Sequence, residues 1–233
     1  MASTDFELIQ MQVEALFVHD SSSRLLRINE PDPPDPAPRF FLGRTQAGNL
    51  WRTRYNLPPD LAAELARLAA DEPVAADFRA PPRHEAEYLQ LLEQHAPPVT
   101  RYSGPAYSLP QLDAPARAVT ITAENAPLLE AHFAWLRTTF AEYAPVVAVV
   151  ADGVAVSVCF SSRLTARAAA AGVDTEANYR GRGYAPDAVR GWAAAVRASG
   201  RLPLYDTSWA NSASQAVARK LGAVQYGTDY SLT

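Results

Sequence analysis

The chain is poor in several things at once. Its 233 residues include one cysteine, Cys159, and, among 21 basic residues, one lysine, Lys220. A lone cysteine cannot close an intramolecular disulfide, which excludes a disulfide-stapled scaffold and fits a reducing compartment. Cys159 also lies in an apolar run, residues 154–160, and reads as a buried core thiol rather than a nucleophile. No run of about 18 apolar residues occurs, so no membrane-crossing helix is expected. Residues 1–12 carry acids but neither a basic nor an apolar leader region, and the reading is a soluble, cytoplasmic protein. A net charge of −4 with no basic run argues against a nucleic-acid surface. His19, His84, His95 and His132 show no metal-ligand spacing with cysteines or acids, so no metal is expected, and His132 reads as packed in an amphipathic helix.

What is present divides into two patterns around residues 109–117, where Pro110 and Pro115 stand among small residues. The expected domains are 1–112 and 117–233. The first opens with Thr4 and Glu7 in a capping-box spacing ahead of Phe6, Ile9, Val13 and Leu16, an amphipathic helix. Strands are expected over 24–29, 39–44 and 50–55, and helices over 61–70 and 83–95. The proline-rich stretch 31–38 reads as a stiff solvated loop. In the second half, residues 118–122 read as a strand. Asn125 and Pro127 then open a helix carrying Leu128, Leu129, Phe133, Leu136 and Phe140. Residues 146–150 and 154–160 flank Asp152-Gly153, a hairpin turn.

The most informative segment is 173–185, VDTEANYRGRGYA, a β-type run followed by a glycine-spaced loop that opens a helix over about 183–199. Free N–H groups and the positive end of the helix dipole would point at that loop, and Arg180 and Arg182 add fixed charge. A nucleoside-triphosphatase loop needs Gly-Lys-Ser/Thr, whereas this one continues Tyr184-Ala185-Pro186. A dinucleotide fingerprint needs a third small residue where Pro186 stands. Arg180-Gly181-Arg182-Gly183-Tyr184-Ala185 instead resembles the R/Q-x-x-G-x-G/A pyrophosphate loop of the GNAT superfamily of acyl-CoA N-acyltransferases. A second strand, 202–209, leads to Asn211-Ser-Ala-Ser214-Gln-Ala-Val-Ala-Arg-Lys-Leu221-Gly222-Ala223, which is similar to the family's second helix. Asn211 there reads as an N-cap and Gly222 as a helix stop.

The resemblance covers residues 117–233 and implies an α+β fold: a mixed, mostly antiparallel sheet splayed between its fourth and fifth strands and flanked by helices. A smaller α/β region, 1–112, would precede it. The family closes with one more strand than residues 117–233 supply, so that strand would come from the first half, from a partner in a homodimer, or from nowhere. The resemblance further implies acetyl-CoA as co-substrate and direct attack of a small-molecule primary amine on the thioester in a ternary complex. Val173, Asp174 and Thr175 would pair with the pantetheine arm, Arg180, Gly181, Arg182, Gly183, Tyr184 and Ala185 would take the pyrophosphate, and Asn211 and Ser214 would flank the thiol end. Two family positions depart: Ala218 stands where many members have a tyrosine acid, and Ala169 where some have a glutamate base. Asp206 and Glu176 are the remaining candidates for the base, Asp206 ranked ahead. Those departures keep a non-catalytic acyl-CoA sensor among the readings, beside a protein N-acyltransferase.

Overall fold

The computed structural model describes residues 3–31 and 35–233. The reading of residues 1–12 as leader-free and of 31–38 as a stiff loop therefore falls partly outside the described residues, at Met1, Ala2, Asp32, Pro33 and Pro34. In chain order the first elements are α1 (Asp5–Leu16), β1 (Phe17–His19), β2 (Leu25–Ile28), β3 (Phe40–Thr45), β4 (Asn49–Thr53), α2 (Pro59–Ala70), α3 (Glu85–His95) and β5 (Arg101–Ser108). There follow β6 (Ala118–Thr120), a 3-10 turn (Ala126–Leu129), α4 (Ala134–Thr139), β7 (Val146–Ala151), β8 (Val154–Leu164) and β9 (Ala168–Thr175). The chain continues through α5 (Tyr184–Ala198), β10 (Leu202–Asp206), α6 (Ser212–Lys220) and β11 (Val224–Leu232). The chain forms two compact units, one of residues 1–107, 206–211 and 225–233, the other of residues 108–205 and 212–224.

In the first unit the sheet order is β4-β3-β11-β5, with β3 antiparallel to both β4 and β11. β5, which the sequence pattern does not announce, lies beside β11, and Thr100 and Thr233 exchange two backbone hydrogen bonds at their shared end. A strand from the first half therefore neighbours the last strand. The capping box forms as expected, Glu7 N donating to Thr4 Oγ1 and Thr4 N to the Glu7 carboxylate. The two faces of this sheet are covered by different helices. Phe40, Leu42, Tyr230 and Leu232 pack with Leu65, Leu68, Tyr88 and Leu92 of α2 and α3. Side chains one residue out of phase meet α1, which comes so close that a Cβ on Gly43 would stand 2.4 Å from Ile9 Cγ1.

In the second unit the order is β10-β9-β8-β7-β6, antiparallel except for the parallel pair β9 and β10. α+β architecture with mostly antiparallel, helix-flanked sheets thus holds in both units, and the second is mixed, as the resemblance implies. Asp152 and Gly153 both adopt positive φ, the geometry of a tight two-residue hairpin turn. α5 lies against β7, β8 and β9, closest at Gly191, where a Cβ would meet Val147 at 2.8 Å. On the opposite face Leu129, Phe133 and Leu136 pack on Val146, Ala148 and Val158. The single helix expected after Asn125 is instead a 3-10 turn and the short α4, separated at Phe133. Asn125 caps neither: its Oδ1 accepts from Thr122 N at 2.7 Å and its Nδ2 donates to Thr120 O at 2.9 Å. Cys159 is fully buried, and burial pushes its thiol well up, as a core cysteine requires.

Candidate functional site

The second unit carries a divergence of two parallel strands. β10 pairs with β9 through Leu202↔Ala168, Pro203↔Ala169 and Leu204↔Ala170, and the register stops there. β9 runs on through Thr175 with β8 on its other edge, so residues 171–175 keep one neighbouring strand where residues 168–170 have two. A β8 register shift between Ser161 and Arg163 falls opposite this point, and Ser162 Oγ donates to Ala170 O at 3.1 Å. An extended ligand with amide groups can add to such an edge as a further strand would. Val173, Asp174 and Thr175 lie on this stretch. The Ser157 hydroxyl holds its end, donating to Asp174 O at 3.1 Å with Thr175 Oγ1 2.7 Å away.

Past the strand a one-turn 3-10 segment, Ala177–Tyr179, feeds the glycine loop. Gly181 and Gly183 take φ of +78° and +81°, left-handed conformations that an L side chain rarely adopts. Nothing lies within 4 Å of where a Cβ on Gly181 would be, so the loop has open space above it. Gly183 is also the residue before the first turn of the 15-residue α5, whose leading N–H groups lack helical partners. The two loop arginines are held differently. Arg180 Nε donates to Thr175 O at 3.0 Å, tying the loop back to the strand end, while Arg182 lies over the Tyr179 ring at 5.3 Å. Tyr179 is anchored in turn by its hydroxyl, which donates to Asp152 at 3.0 Å.

Arg117 is a third guanidinium at this place, and the sequence did not single it out. It lies over the Tyr184 ring at 4.9 Å, is bonded to Asp187 in the first turn of α5, and its Nη2 is the nearest atom to a Cβ on Gly183, at 3.8 Å. The signal that could have found it is Asp187, an acid in the first turn of a helix built to receive an anion. The loop thus carries backbone N–H groups and a helix N-terminus, with Arg117, Arg180 and Arg182 on or beside it, each on a different partner.

Among the remaining candidates, Ser214 sits in α6 in the same unit, half-buried, with its Oγ 2.7 Å from the Tyr205 hydroxyl. Glu176 follows β9 and its Oε2 stands 3.9 Å from His132 Nδ1. His132 is therefore not a buried packing residue but a half-exposed ring beside Tyr179 and a carboxylate. Asp206 and Asn211 belong to the first unit, Asp206 as the half-buried last residue of β10 and Asn211 as the exposed residue before α6. Ala169 and Ala218 are both fully buried, so neither position presents a side chain to a ligand. Among the described residues no group of three or more histidines, cysteines or acids could hold a metal, and no helix is long and apolar enough to cross a membrane.

A family model described as GNAT acetyltransferase matches residues 103–232. No relative was matched among curated proteins. Solved structures with a similar chain path include a GNAT-family protein from Novosphingobium aromaticivorans, at 21% identity and a TM-score of 0.47. That match covers 58% of this chain and 64% of the other, so this chain spans less than two thirds of that protein's length. A GCN5-related N-acetyltransferase-like protein from Streptococcus suis has 16% identity, a TM-score of 0.48 and coverage of 84% and 85%. A GNAT-family acetyltransferase from Colwellia psychrerythraea has 11% identity, a TM-score of 0.48 and coverage of 99% and 97%. The family model alone takes in more than half of the chain, including the diverging strands, the glycine loop and both following helices, and this chain belongs to the GNAT acetyltransferase family.

Proposed function

We propose that this protein is an acetyl-CoA-dependent N-acetyltransferase acting on the primary amine of a small molecule. The observation that carries the reading is the end of the β9–β10 register at Ala170 and Leu204, with the Gly181 and Gly183 loop at the far end of the freed strand. Residues 173–175 would pair with the pantetheine amides, and residues 180–185 with the α5 N-terminus would take the pyrophosphate. Ser214 would border the thiol end. A backbone N–H near Val173 would serve as donor to the developing oxyanion, an interaction whose loss typically costs about 3 kcal/mol of barrier. Holding amine and thioester in attack geometry supplies roughly 7 kcal/mol or more. Of the two bases that the sequence proposes, Asp206 ahead of Glu176, the one in the second unit is Glu176, with its neighbour His132.

The buried alanines at 169 and 218 favour one alternative, a non-catalytic acyl-CoA-binding module. Turnover of acetyl-CoA against a panel of small amines, alongside calorimetric titration with CoA, separates the two. Binding with turnover supports the transferase, binding without turnover supports the module, and no binding overturns both. A peptide panel in the same assay tests protein acylation.

A further inference from the structure

An aromatic cluster lies wholly within the second unit and has no part in the site described above. Trp135 of α4, Tyr143 of the turn before β7 and Phe160 of β8 meet edge to face in a closed triangle. Ring centroids are 5.4 Å apart for Trp135 and Phe160, 5.5 Å for Tyr143 and Phe160, and 5.7 Å for Trp135 and Tyr143. The backbone ties two corners together, Ser161 N donating to Tyr143 O at 2.9 Å. Phe133 and Leu136 are buried in the core beneath, yet Trp135, between them in sequence, is 48% exposed. Trp135 is thus held by two rings and still half open to a ligand.

Strand register sets this cluster against the freed part of β9. Phe160 pairs with Val146 and Gly172, and Val158 pairs with Ala148 and Asp174. Val146, Ala148 and Val158 belong to the core under α4, so Gly172 and Asp174 point to that same face. The Phe160 ring leans across onto β9: a Cβ on Gly172 would stand 2.4 Å from its Cε2 and 2.5 Å from its Cζ. Gly172 directly precedes Val173, in the stretch that keeps one neighbouring strand. The opposite face is taken by α5, whose N-terminus carries the glycine loop. Farther along, the α4 face turns acidic. Asp174 is exposed two residues on, about 7 Å along the strand, and Glu176 past the strand end stands 3.9 Å from His132. The nearby cations are turned elsewhere, Arg180 onto Thr175 O and Arg182 onto the Tyr179 ring.

We propose that Trp135, Tyr143 and Phe160 form the ring-binding part of the acceptor site, and that the acceptor is a primary amine joined to an aromatic ring by a short alkyl chain. Its ring would lie against Trp135 and Phe160, and its ammonium would be drawn toward Asp174 and Glu176. This deepens the acetyltransferase reading and rests on it. With the pyrophosphate on the α5 side, the α4 face is the one left for the amine, and its two chemistries suit the two ends of one molecule. A further ring gains edge-to-face contacts that an alkyl group cannot make, and an anionic acceptor would meet like charge at Asp174 and Glu176. The three aromatic residues determine specificity and take no part in proton transfer.

The test is fluorine NMR of the full-length protein labelled with fluorotryptophan, titrated in the presence of CoA with phenylethylamine or with butylamine. The chain has four tryptophans, and the Trp135 signal is the one missing in Trp135→Phe, or in Trp135→Tyr should the first variant fail to fold. Phenylethylamine should move that signal saturably and butylamine, at the same concentrations, should not. A Trp135 signal that stays still, or that answers both amines alike, overturns the ring site. With acetyl-CoA, Trp135→Ala should raise KM for phenylethylamine about tenfold or more, leaving KM for butylamine and for acetyl-CoA unchanged. An equal rise for both amines also overturns it. A saturable Trp135 shift without turnover would sink the transferase reading and keep a ring-binding amine site; turnover with a still Trp135 would do the reverse.

Discussion

The backbone carbonyl of Thr207 occupies the space that a side chain on Gly104 would need, 1.8 Å from the position of its Cβ. The carbonyl carbon and Ser208 Cα are both within 3 Å of the same point, at 2.7 and 2.8 Å. All three are backbone atoms, so no rotamer change can relieve the overlap. Gly104→Ala is expected to cost about 3 kcal/mol of stability, the upper end for overpacking by one methyl, read as a lowered urea midpoint at unchanged slope.

The loop prediction turns on a different property of glycine. At φ of +81° Gly183 sits where an L side chain is strained, directly ahead of the N-terminus of α5. Gly183→Asp adds that strain and a negative charge at the proposed pyrophosphate position, and CoA binding by calorimetry should fall below detection. Undiminished CoA affinity in a variant with wild-type circular dichroism would show that the phosphate site lies elsewhere.

Asp229 also sets a direction for stability against pH. Burial in β11 holds its native pKa well above the ordinary 3.8, so between those two values the folded protein holds a proton that the unfolded chain has released. Stability from this group is therefore full below the ordinary value and is lost as pH rises toward the native one, by up to about 1.4 kcal/mol per pH unit for one proton. Urea unfolding from mildly acidic to neutral pH should show this decline in wild type and lose it in Asp229→Asn. A difference between the two proteins that stays constant with pH would mean the carboxyl is already ionised in the native state.

What the sequence made legible was local chemistry. The turn at Asp152-Gly153, the capping box at Thr4 and Glu7, and the loop at residues 180–185 each state their geometry within a few neighbouring residues. The helix expected over residues 125–140 failed for a reason of the same kind: apolar spacing records which side chains are buried, and a 3-10 turn followed by α4 buries Leu129, Phe133 and Leu136 equally well. The hydrogen bond from Gln12 of α1 to Asp229 of β11 could not be foreseen, because 217 residues separate them and neither belongs to a motif. Arg117 was missed although its partner Asp187 signals from the first turn of α5, because 70 positions separate the two.

A fragment of residues 117–233 would keep the glycine loop but carry β11 without β3 or β5, its neighbours on either side. Tyr230 and Leu232 would lose the α2 and α3 side chains that cover them. Such a fragment is expected to be poorly soluble and to aggregate through the bare strand, as light scattering would report. A soluble fragment with a single cooperative melt would mean that β11 finds other cover.

The same thread from β3 to β11 governs when the first unit can come into being. Its sheet joins residues 40–45 to residues 227–232, so on the ribosome the early segments must wait, with Phe40, Leu42 and Tyr88 uncovered on one side, until β11 has been made. During that wait the intervening hairpin of β7 and β8, whose partners are close in sequence, can already close. Contact distance along the chain thus favours β7 with β8 as an early pairing and β3 with β11 as a late one.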